Sequence, residues 1–282
     1  MEVMASGALT TVQDLGRGGL THLGVGHCGA ADRDSLTLAN RLVGNAEGAA
    51  ALETTLGGLV VRFDRTTLIA VTGAVCPLRL GHRRIDMNAP VYARPDDILH
   101  IGTATAGARA YLAVRGGVDV PAVLGSRSTD LLSGLGPAIV RPGHCLPVGG
   151  DAASPPAVDH APPRRLGAST LDVVLGPRDD WFAADARSIL LAEPFRVTPR
   201  GNRVGVRLDG PPLRRRVRDE LPPEPLTCGA IQVPPDGQPL LFLADHPVTG
   251  GYPVIAVLAD ADVAAAAQLR PGDDVRFRLA VP

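Results

Sequence analysis

The sequence contains no lysine, and all 28 of the basic residues among its 282 positions are arginine. Without lysine the chain cannot form a Schiff base, place a P-loop lysine on nucleotide phosphates or carry covalent biotin itself. Any bound anion must therefore meet arginine side chains, backbone N–H groups or helix N-termini. Codon bias in a G+C-rich genome also explains the missing lysine, but the chemical exclusion holds in either case.

Cysteine pairs and long apolar runs are also missing. The four cysteines, at positions 28, 76, 145 and 228, form no CxxC pair, which argues against a zinc knuckle or a redox dithiol and favours a reducing compartment. Glu2 follows Met1 directly, and no apolar run approaches the ~20 residues that span a bilayer. We therefore expect no signal peptide, no membrane partner and a cytoplasmic location.

The sequence has little net charge, with 28 basic and 29 acidic residues, and it contains no block of like charge. Proteins that bind nucleic acids usually carry a basic patch or stripe. We therefore expect small molecules and other proteins as partners, and no nucleic acid.

Short β-type runs dominate the sequence on both sides of a proline-rich stretch. Residues 149–163 include two Pro-Pro pairs, which cannot continue a helix, so we place a domain boundary there, between subdomains of residues 1–150 and 164–282. The β-type runs, bounded by Gly, Pro or Asp, cover 59–63, 68–72, 110–115, 238–244, 253–258 and 275–281. Such spacing favours closed or sandwich-like sheets, because closure removes exposed strand edges.

Helical signals are fewer. Ala31–Val43 places apolar residues on one face and ends at Gly44-Asn45, and Arg178–Leu191 follows a proline and has acidic residues in its first turn. Near the C-terminus, Asp260 or Asp262 can cap an alanine-rich helix over Val263–Leu269. The sequence therefore predicts a mainly β protein with a few helices, in two parts.

The segment Gly24–Gly29 fits the pattern GxGxxG and leads into the first predicted helix. A dinucleotide fingerprint must follow a buried strand, whereas the preceding residues have the composition of a loop. A glycine-rich backbone nest for a phosphate or carboxylate and a purely structural turn remain as alternatives.

Gln13, Asp14 and Arg17 share one glycine-rich loop, and Asp32 follows the next glycine-rich turn. One interpretation is a salt bridge between Asp14 and Arg17 that only fixes the loop. The functional alternative gives Arg17 a bidentate contact with an anion and leaves Asp14 or Asp32 to orient a water molecule or accept a proton.

Arg127 lies between Ser126 and Ser128 in a second glycine-containing loop. Arginine flanked by hydroxyl groups suits an anionic ligand, since each charge-assisted hydrogen bond contributes about 1.5–3 kcal/mol. Neither serine lies in a GxSxG elbow, so neither is predicted to be a hydrolase nucleophile, and capping of a turn is their alternative role. We expect Arg127 to contact a ligand, because the residues around it are small.

A third set of polar residues lies in the C-terminal half and comprises Asn202, Arg203, Gln232, His246, Thr249 and Tyr252. His246 follows Asp245 and is either an oriented base or a structural histidine, because adjacent residues of a strand point to opposite faces. His22 and His27 show no ligand spacing with a carboxylate, so no metal site is predicted.

Taken in order, these motifs resemble the allophanate hydrolase subunit 2 family, whose members include the C subunit of bacterial 5-oxoprolinase. The resemblance covers nearly the whole chain, from about Gly7 to Phe277. Each motif is weak by itself, but the ordered set is specific, and it consists of Gln13–Arg17, Gly29–Asp32, Ala39–Asn45, Leu124–Thr129, Asn202–Gly205, Gly229–Pro234 and Thr249–Pro253.

The resemblance implies a carboxyltransferase-type architecture of two cyclophilin-like β-barrel subdomains. It further implies a smaller partner, similar to the B subunit of 5-oxoprolinase or to allophanate hydrolase subunit 1, with the A subunit as a further partner. The implied activity is ATP-dependent opening of 5-oxo-L-proline to L-glutamate, and the chain alone is expected to be inactive. The alternatives are a carboxyltransferase or allophanate hydrolase component of urea metabolism and a regulatory binding protein similar to antagonists of a sporulation-kinase inhibitor.

The resemblance also implies roles for the candidate residues. Arg17, Arg127 and Arg203 would hold the substrate carboxylate and the ATP phosphates, while Asp14 or Asp32 would organise a proton or Mg²⁺. The chain departs from the family pattern at Gly201, at Pro223-Glu224-Pro225 and at Pro247-Val248, where relatives tend to carry hydroxyl or amide side chains. These departures affect the ligand contacts expected in the second subdomain.

Overall fold

The computed structural model describes residues 1–150, 155–156, 158–164, 166 and 170–280. The chain divides into two compact units. Unit 1 comprises Met1–Gly18 and Cys28–Leu166, and unit 2 comprises Gly19–His27 and Gly167–Pro282. The predicted linker, residues 149–163, lies partly outside the described residues, and the boundary placed in it stays a prediction.

The described residues of unit 1 form two antiparallel sheets and one helix. Its described residues form β1 (Glu2–Ser6), β2 (Leu9–Gln13), α1 (Arg33–Leu42), β3 (Ala51–Thr55), β4 (Leu59–Arg62), β5 (Thr67–Val75), β6 (Leu78–Leu80), β7 (Arg83–Ile85), β8 (Val91–Ala93), β9 (Ile98–Ile101) and β10 (Ala106–Val114). The strand orders are β1-β4-β9-β6-β7 and β2-β3-β10-β5-β8. The alternating strands turn one face of each sheet toward a shared apolar core that includes Val61, Leu99, Leu52, Val71 and Leu112.

Helix α1 covers the second of these sheets. Asp32 is its N-cap, and Leu36, Ala39 and Leu42 are fully buried on the helix face that packs against the sheet. The helix ends where predicted, because Gly44 adopts a positive φ of 73°, which glycine tolerates without steric cost.

Unit 2 contains a closed seven-stranded barrel. Its described residues form β11 (Thr170–Leu175), α2 (Ala186–Ala192), β12 (Phe195–Val197), β13 (Gly205–Asp209), β14 (Glu224–Pro225), β15 (Ala230–Gln232), β16 (Leu240–Phe242), β17 (Thr249–Gly250), β18 (Val254–Leu258), α3 (Asp260–Ala266) and β19 (Asp274–Leu279). The barrel order is β11-β18-β15-β16-β13-β12-β19, and β14 pairs with β17 outside it. The predicted mainly β class is therefore confirmed.

Two predicted helices differ in detail from the structure. Residues 178–191 form a 3₁₀ turn over Asp179–Trp181 and then the separate helix α2, because Phe182 is extended and forms a β-bridge with Arg215. Helix α3 starts at Asp260, and the Asp262 carboxylate accepts a hydrogen bond from the Asp172 N–H at 2.6 Å instead of capping the helix. A tertiary contact overrides the local sequence preference in both places.

Candidate functional site

The Asp14 carboxylate connects two loops of unit 1. Its Oδ1 accepts hydrogen bonds from Ser126 Oγ at 2.6 Å, Ser128 Oγ at 2.5 Å and Gly16 N at 2.8 Å, and its Oδ2 accepts one from Arg127 N at 2.6 Å. Four donors use most of the acceptor capacity of a carboxylate. Asp14 therefore anchors the loops through the hydroxyl groups of both serines; a catalytic role for Asp14 and ligand binding by Ser128 stay predictions.

Arg17 is almost fully buried, at 2% exposure, beside the same loop. Its Nε donates to Val123 O at 3.2 Å and its Nη2 donates to Ser128 O, so the Asp14–Arg17 salt bridge that the spacing allowed gives way to backbone contacts. The remaining nitrogen, Nη1, is buried and has no hydrogen-bond partner among the described residues.

Two more buried polar atoms at Ser128-Thr129 lack a partner within the described part of the chain, Gln13 Oε1 and Thr129 Oγ1. The Gln13 amide nitrogen donates to Thr11 Oγ1 at 3.0 Å and to Thr129 O at 2.9 Å, which fixes the orientation of the amide. Buried polar atoms normally have partners, so the three exceptions around one dipeptide, Ser128-Thr129, are atoms whose hydrogen bonds an internal water or a ligand can complete.

Gly136 lets the Arg17 side chain pack closely against this dipeptide. A Cβ atom at Gly136 would lie 2.0 Å from Ser128 O and 2.7 Å from Arg17 Nη2, and the residue has a φ of +82°. Gly134 has a similar φ of +70°, but a Cβ atom there would meet nothing within 4 Å. The two glycines therefore share the same conformational demand and differ in packing.

We expect Gly136→Ala to lower the free energy of unfolding by about 2–4 kcal/mol, since left-handed strain and overpacking act together. Gly134→Ala introduces the left-handed backbone strain without overpacking, so it is expected to lower the free energy of unfolding by about 1–2 kcal/mol. Urea unfolding of both variants measures the difference. Equal losses would mean that the bulk of a side chain at Gly136 is accommodated without disturbing Arg17.

Asp32 belongs to a different network in unit 1. Its carboxylate accepts hydrogen bonds from Ser35 N at 3.0 Å and Ser35 Oγ at 2.7 Å, as a helix cap does. Its N–H donates to the Tyr111 hydroxyl at 2.8 Å, and that hydroxyl donates to Glu53 Oε2 at 2.7 Å. Burial, together with the Glu53 and Asp32 carboxylates, raises the pKa of Tyr111 well above its ordinary value, so the phenol stays protonated.

Arg127 has intramolecular partners for part of its guanidinium. Nε donates to Val120 O at 2.7 Å and Nη2 donates to Asp119 Oδ1 at 2.8 Å. The side chain is nevertheless 42% exposed, so the rest of the guanidinium is accessible to solvent. Its predicted contact with a ligand stays a prediction.

In unit 2, Arg203 and Asp245 form a buried bidentate ion pair. Nε and Nη2 of Arg203 each lie 2.9 Å from a carboxylate oxygen of Asp245, and both side chains have no solvent exposure. Asp245 N also donates to Arg203 O at 3.1 Å. Arg203 therefore holds the loop that precedes His246. If Arg203 also binds an anion, as predicted, it must do so while its guanidinium stays paired with Asp245.

His246 lies next to this pair. Its Nδ1 is 2.8 Å from Pro247 O, and since a carbonyl only accepts, Nδ1 carries the hydrogen and Nε2 keeps its lone pair in the neutral ring. Burial lowers the pKa of His246, and His27 lowers it further against the opposing effects of Pro247 and Asp245. The ring is therefore neutral at pH 7, a state that can accept a proton.

The other candidates of unit 2 surround the β14–β17 ribbon or shape turns. Gln232 Nε2 donates to Tyr252 O at 2.8 Å, while the Tyr252 ring is 44% exposed and packs against Arg215, whose Cζ lies 5.4 Å from the ring centroid. Thr249 is exposed on β17. Asn202 Oδ1 accepts from Val204 N at 2.8 Å and so closes a turn.

The structure thus brings Gln13, Asp14, Arg17, Arg127 and Ser128 together around one loop, and it places Asp32 in the Tyr111 network. Sequence reasoning missed the partners that define both clusters, which are Thr129, Gly136, Glu53 and Tyr111. A signal for Glu53 was present, because a lone acid inside the buried strand β3 needs a buried donor.

Comparison with known proteins identifies the family. Residues 23–279 match the model of the family described as carboxyltransferase domain, subdomain A and B. The chain belongs to this family. It is 36% identical to the C subunit of 5-oxoprolinase from Escherichia coli K12 over 98% of this chain and 90% of that protein, and 35% identical to the C subunit from Haemophilus influenzae over 95% and 87%. The predicted family is confirmed.

Solved structures of carboxyltransferase relatives have the same fold. The Kluyveromyces lactis urea amidolyase matches with a TM-score of 0.92 and 33% identity over 99% of this chain, but this chain spans only 18% of that protein. A protein named TTHA0988 matches with a TM-score of 0.89 and 35% identity, and this chain spans 55% of its length. The chain therefore corresponds to one part of each of these longer proteins.

Within the described residues, no helix combines the length and the apolar character needed to cross a membrane.

Proposed function

We propose that the chain is the C subunit of a cytoplasmic, ATP-dependent 5-oxoprolinase that opens 5-oxo-L-proline to L-glutamate together with a smaller B subunit and an A subunit. The observation that carries the proposal is the similarity to the C subunit of Escherichia coli, 36% identity across 98% of this chain and 90% of that protein. Similarity that extends over both proteins supports a common role better than a shared domain does.

The chemistry explains why ATP and several subunits are needed. A lactam resists water because its nitrogen is a poor leaving group, and phosphorylation of the lactam oxygen yields an activated species that water opens. The part proposed for this chain is to bind and orient the lactam, which lowers the barrier through positioning and oriented hydrogen bonds.

We place the lactam edge at the three buried atoms around Ser128-Thr129. The amide of a five-membered lactam is cis, so its C=O and N–H lie on the same edge. Arg17 Nη1 is a donor for the carbonyl and Gln13 Oε1 is an acceptor for the N–H, with Thr129 Oγ1 able to serve either. Such bonds gain strength because the surroundings exclude water.

Access to these atoms requires movement of the 125–134 loop segment. Gly125 and Gly134 bound this segment, and a Cβ atom at either glycine would meet nothing within 4 Å. Between them, Asp14, Arg17 and Gln13 hold the segment by hydrogen bonds. Entry of the proposed substrate therefore requires these hydrogen bonds to break and to form again when the segment returns.

Asp14 and Asp32 do not fit a Mg²⁺ site in this chain. The oxygens of Asp14 already accept four hydrogen bonds, and those of Asp32 accept two from Ser35 and lie near Arg164, whose Nη1 is 3.6 Å from Oδ1. Binding a cation there would break these contacts. We derive no step through a metal at these residues, and Arg127, with its partly exposed guanidinium, is the proposed contact for ATP phosphates.

A urea carboxylase-type transferase is the second candidate function. It is favoured by the TM-score of 0.92 to the Kluyveromyces lactis urea carboxylase, of which this chain covers 27%. The similarity to the Escherichia coli 5-oxoprolinase component supports the first candidate, because there the match extends across 90% of the relative.

The test is co-purification with the products of neighbouring genes, followed by an ATPase assay with 5-oxoproline, urea and allophanate added in turn. We expect 5-oxoproline alone to stimulate ATP hydrolysis, and the isolated chain to be folded and inactive. Stimulation by urea that needs bicarbonate and biotin would establish the transferase instead. A stable complex without turnover would point to a regulatory protein, and full activity of the chain alone would contradict the need for partners.

A further inference from the structure

Two arginines and one histidine form a row across one sheet of unit 1. His100 on β9 is directly opposite Arg79 on β6, and Arg79 is directly opposite Arg84 on β7. The neighbours Leu78 and Leu80 point into the core, so Arg79, between them, points away from it. Strands lie about 4.8 Å apart, so the row extends over roughly 10 Å.

This row has no counter-charge in direct contact within the described chain. Among the residues that the structure describes, no carboxylate forms an ion pair with Arg79 or Arg84. Like charges directly opposite each other on neighbouring strands destabilise a sheet. Protection of the edge strand β7 does not account for the row, because Arg83 already places a charge on that strand and donates to Tyr92 O at 3.0 Å.

The same three side chains line a groove with a volume of about 670 Å³. Its apolar wall includes Pro77, Ile85 and Met87, and its rim carries one acid, Asp86. Small-molecule sites have this volume and this combination of an apolar wall with a few polar groups. The groove therefore has room for an organic body beside the cationic row.

We propose that this groove is a binding site for a small molecule that carries a polyphosphate chain. Two guanidinium groups and one imidazole along roughly 10 Å exceed what one carboxylate or one phosphate can contact, whereas two or three linked phosphoryl groups extend along such a row. The site goes beyond the proposed function, because none of its residues belongs to the Asp14 and Arg17 cluster.

Isothermal titration calorimetry of the full chain with inorganic tripolyphosphate tests the site. We expect saturable binding tighter than about 1 mM, at least about tenfold tighter than that of orthophosphate. Arg79→Gln and Arg84→Gln should each weaken binding about tenfold, and Asp86→Asn should strengthen it because a repelling charge is removed. Titration with ADP and ATP then shows whether contact of a nucleoside with the apolar wall increases the affinity beyond that of the phosphate chain.

Arg83→Gln is the matched control, since Arg83 lies on the same strand as Arg84 but does not line the groove. The affinity of the Arg83→Gln variant for tripolyphosphate should stay within about twofold of that of the parent protein. The proposal is overturned if tripolyphosphate does not bind, if Arg83→Gln weakens binding as much as Arg84→Gln, or if Arg79→Gln and Arg84→Gln leave binding unchanged. Thermal unfolding of each variant establishes that the titrated proteins are folded.

Discussion

Asp245→Asn is expected to lower the free energy of unfolding by about 3–5 kcal/mol, the cost of removing one partner from a buried ion pair. The substitution keeps the shape of the side chain but removes the charge that faces the Arg203 guanidinium in a region without solvent exposure. Urea and thermal unfolding of the purified chain measure the loss, and the transition of unit 2 should account for it.

A surface ion pair of the same unit provides the control. Arg196 and Asp274 face each other at 3.1 Å, but their side chains are 64% and 56% exposed, so Asp274→Asn should change stability little. The double variant Arg203→Met/Asp245→Leu should recover much of the loss, because it removes both charges together. A stability close to that of the parent for Asp245→Asn would mean that the guanidinium finds other acceptors.

Arg17→Lys should lower kcat/KM of the assembled enzyme for 5-oxoproline about 100-fold, which corresponds to about 2.7 kcal/mol of transition-state stabilisation. Lysine keeps a positive charge but has a single nitrogen, which cannot occupy the separate positions of Nε, Nη2 and Nη1, so the proposed contact of Nη1 with the lactam oxygen is lost. Steady-state kinetics of the complex with varied 5-oxoproline measure the effect.

Thr129→Val tests the same place by removing a proposed substrate contact without removing a hydrogen bond within the described chain. It removes a buried hydroxyl oxygen without a partner in the described chain, so stability should be retained or slightly increased. Activity should fall about tenfold if that hydroxyl contacts the substrate. If Thr129→Val and Arg17→Lys both retain full activity, and a crystal structure contains an internal water bonded to the three atoms, the lactam site lies elsewhere.

The sequence was informative about the elements and less so about their ends. Alternating apolar runs such as Leu59–Phe63 and Pro253–Leu258 correspond to strands β4 and β18, and the one-sided apolar pattern with its Gly44 terminator corresponds to α1. Residues 178–191 were predicted as one helix because their local pattern contains no sign of the bridge between Phe182 and Arg215. Such a bridge depends on a strand partner more than thirty residues away.

The candidate site was only half visible in the sequence. The types of residue at Gln13, Arg17 and Ser128 suggested anion binding. The sequence did not reveal that the Asp14 carboxylate accepts hydrogen bonds from Ser126, Arg127 and Ser128, which lie more than 110 residues away. Similarly, Arg203 looked available for a ligand until the fold placed Asp245 opposite it. Partners that are distant in sequence decide which polar groups stay available.

By itself, the sequence determined the mainly β class, the family resemblance and the exclusion of lysine chemistry, because these follow from residue types, their periodicity and the order of the motifs. Only the tertiary structure decided that Asp14 anchors loops, that Asp32 caps a helix and that Nη1 of Arg17 stays without a partner in the described chain. The physical reason is that each buried donor and acceptor must be satisfied within a few ångströms, and only the fold sets which atoms come that close.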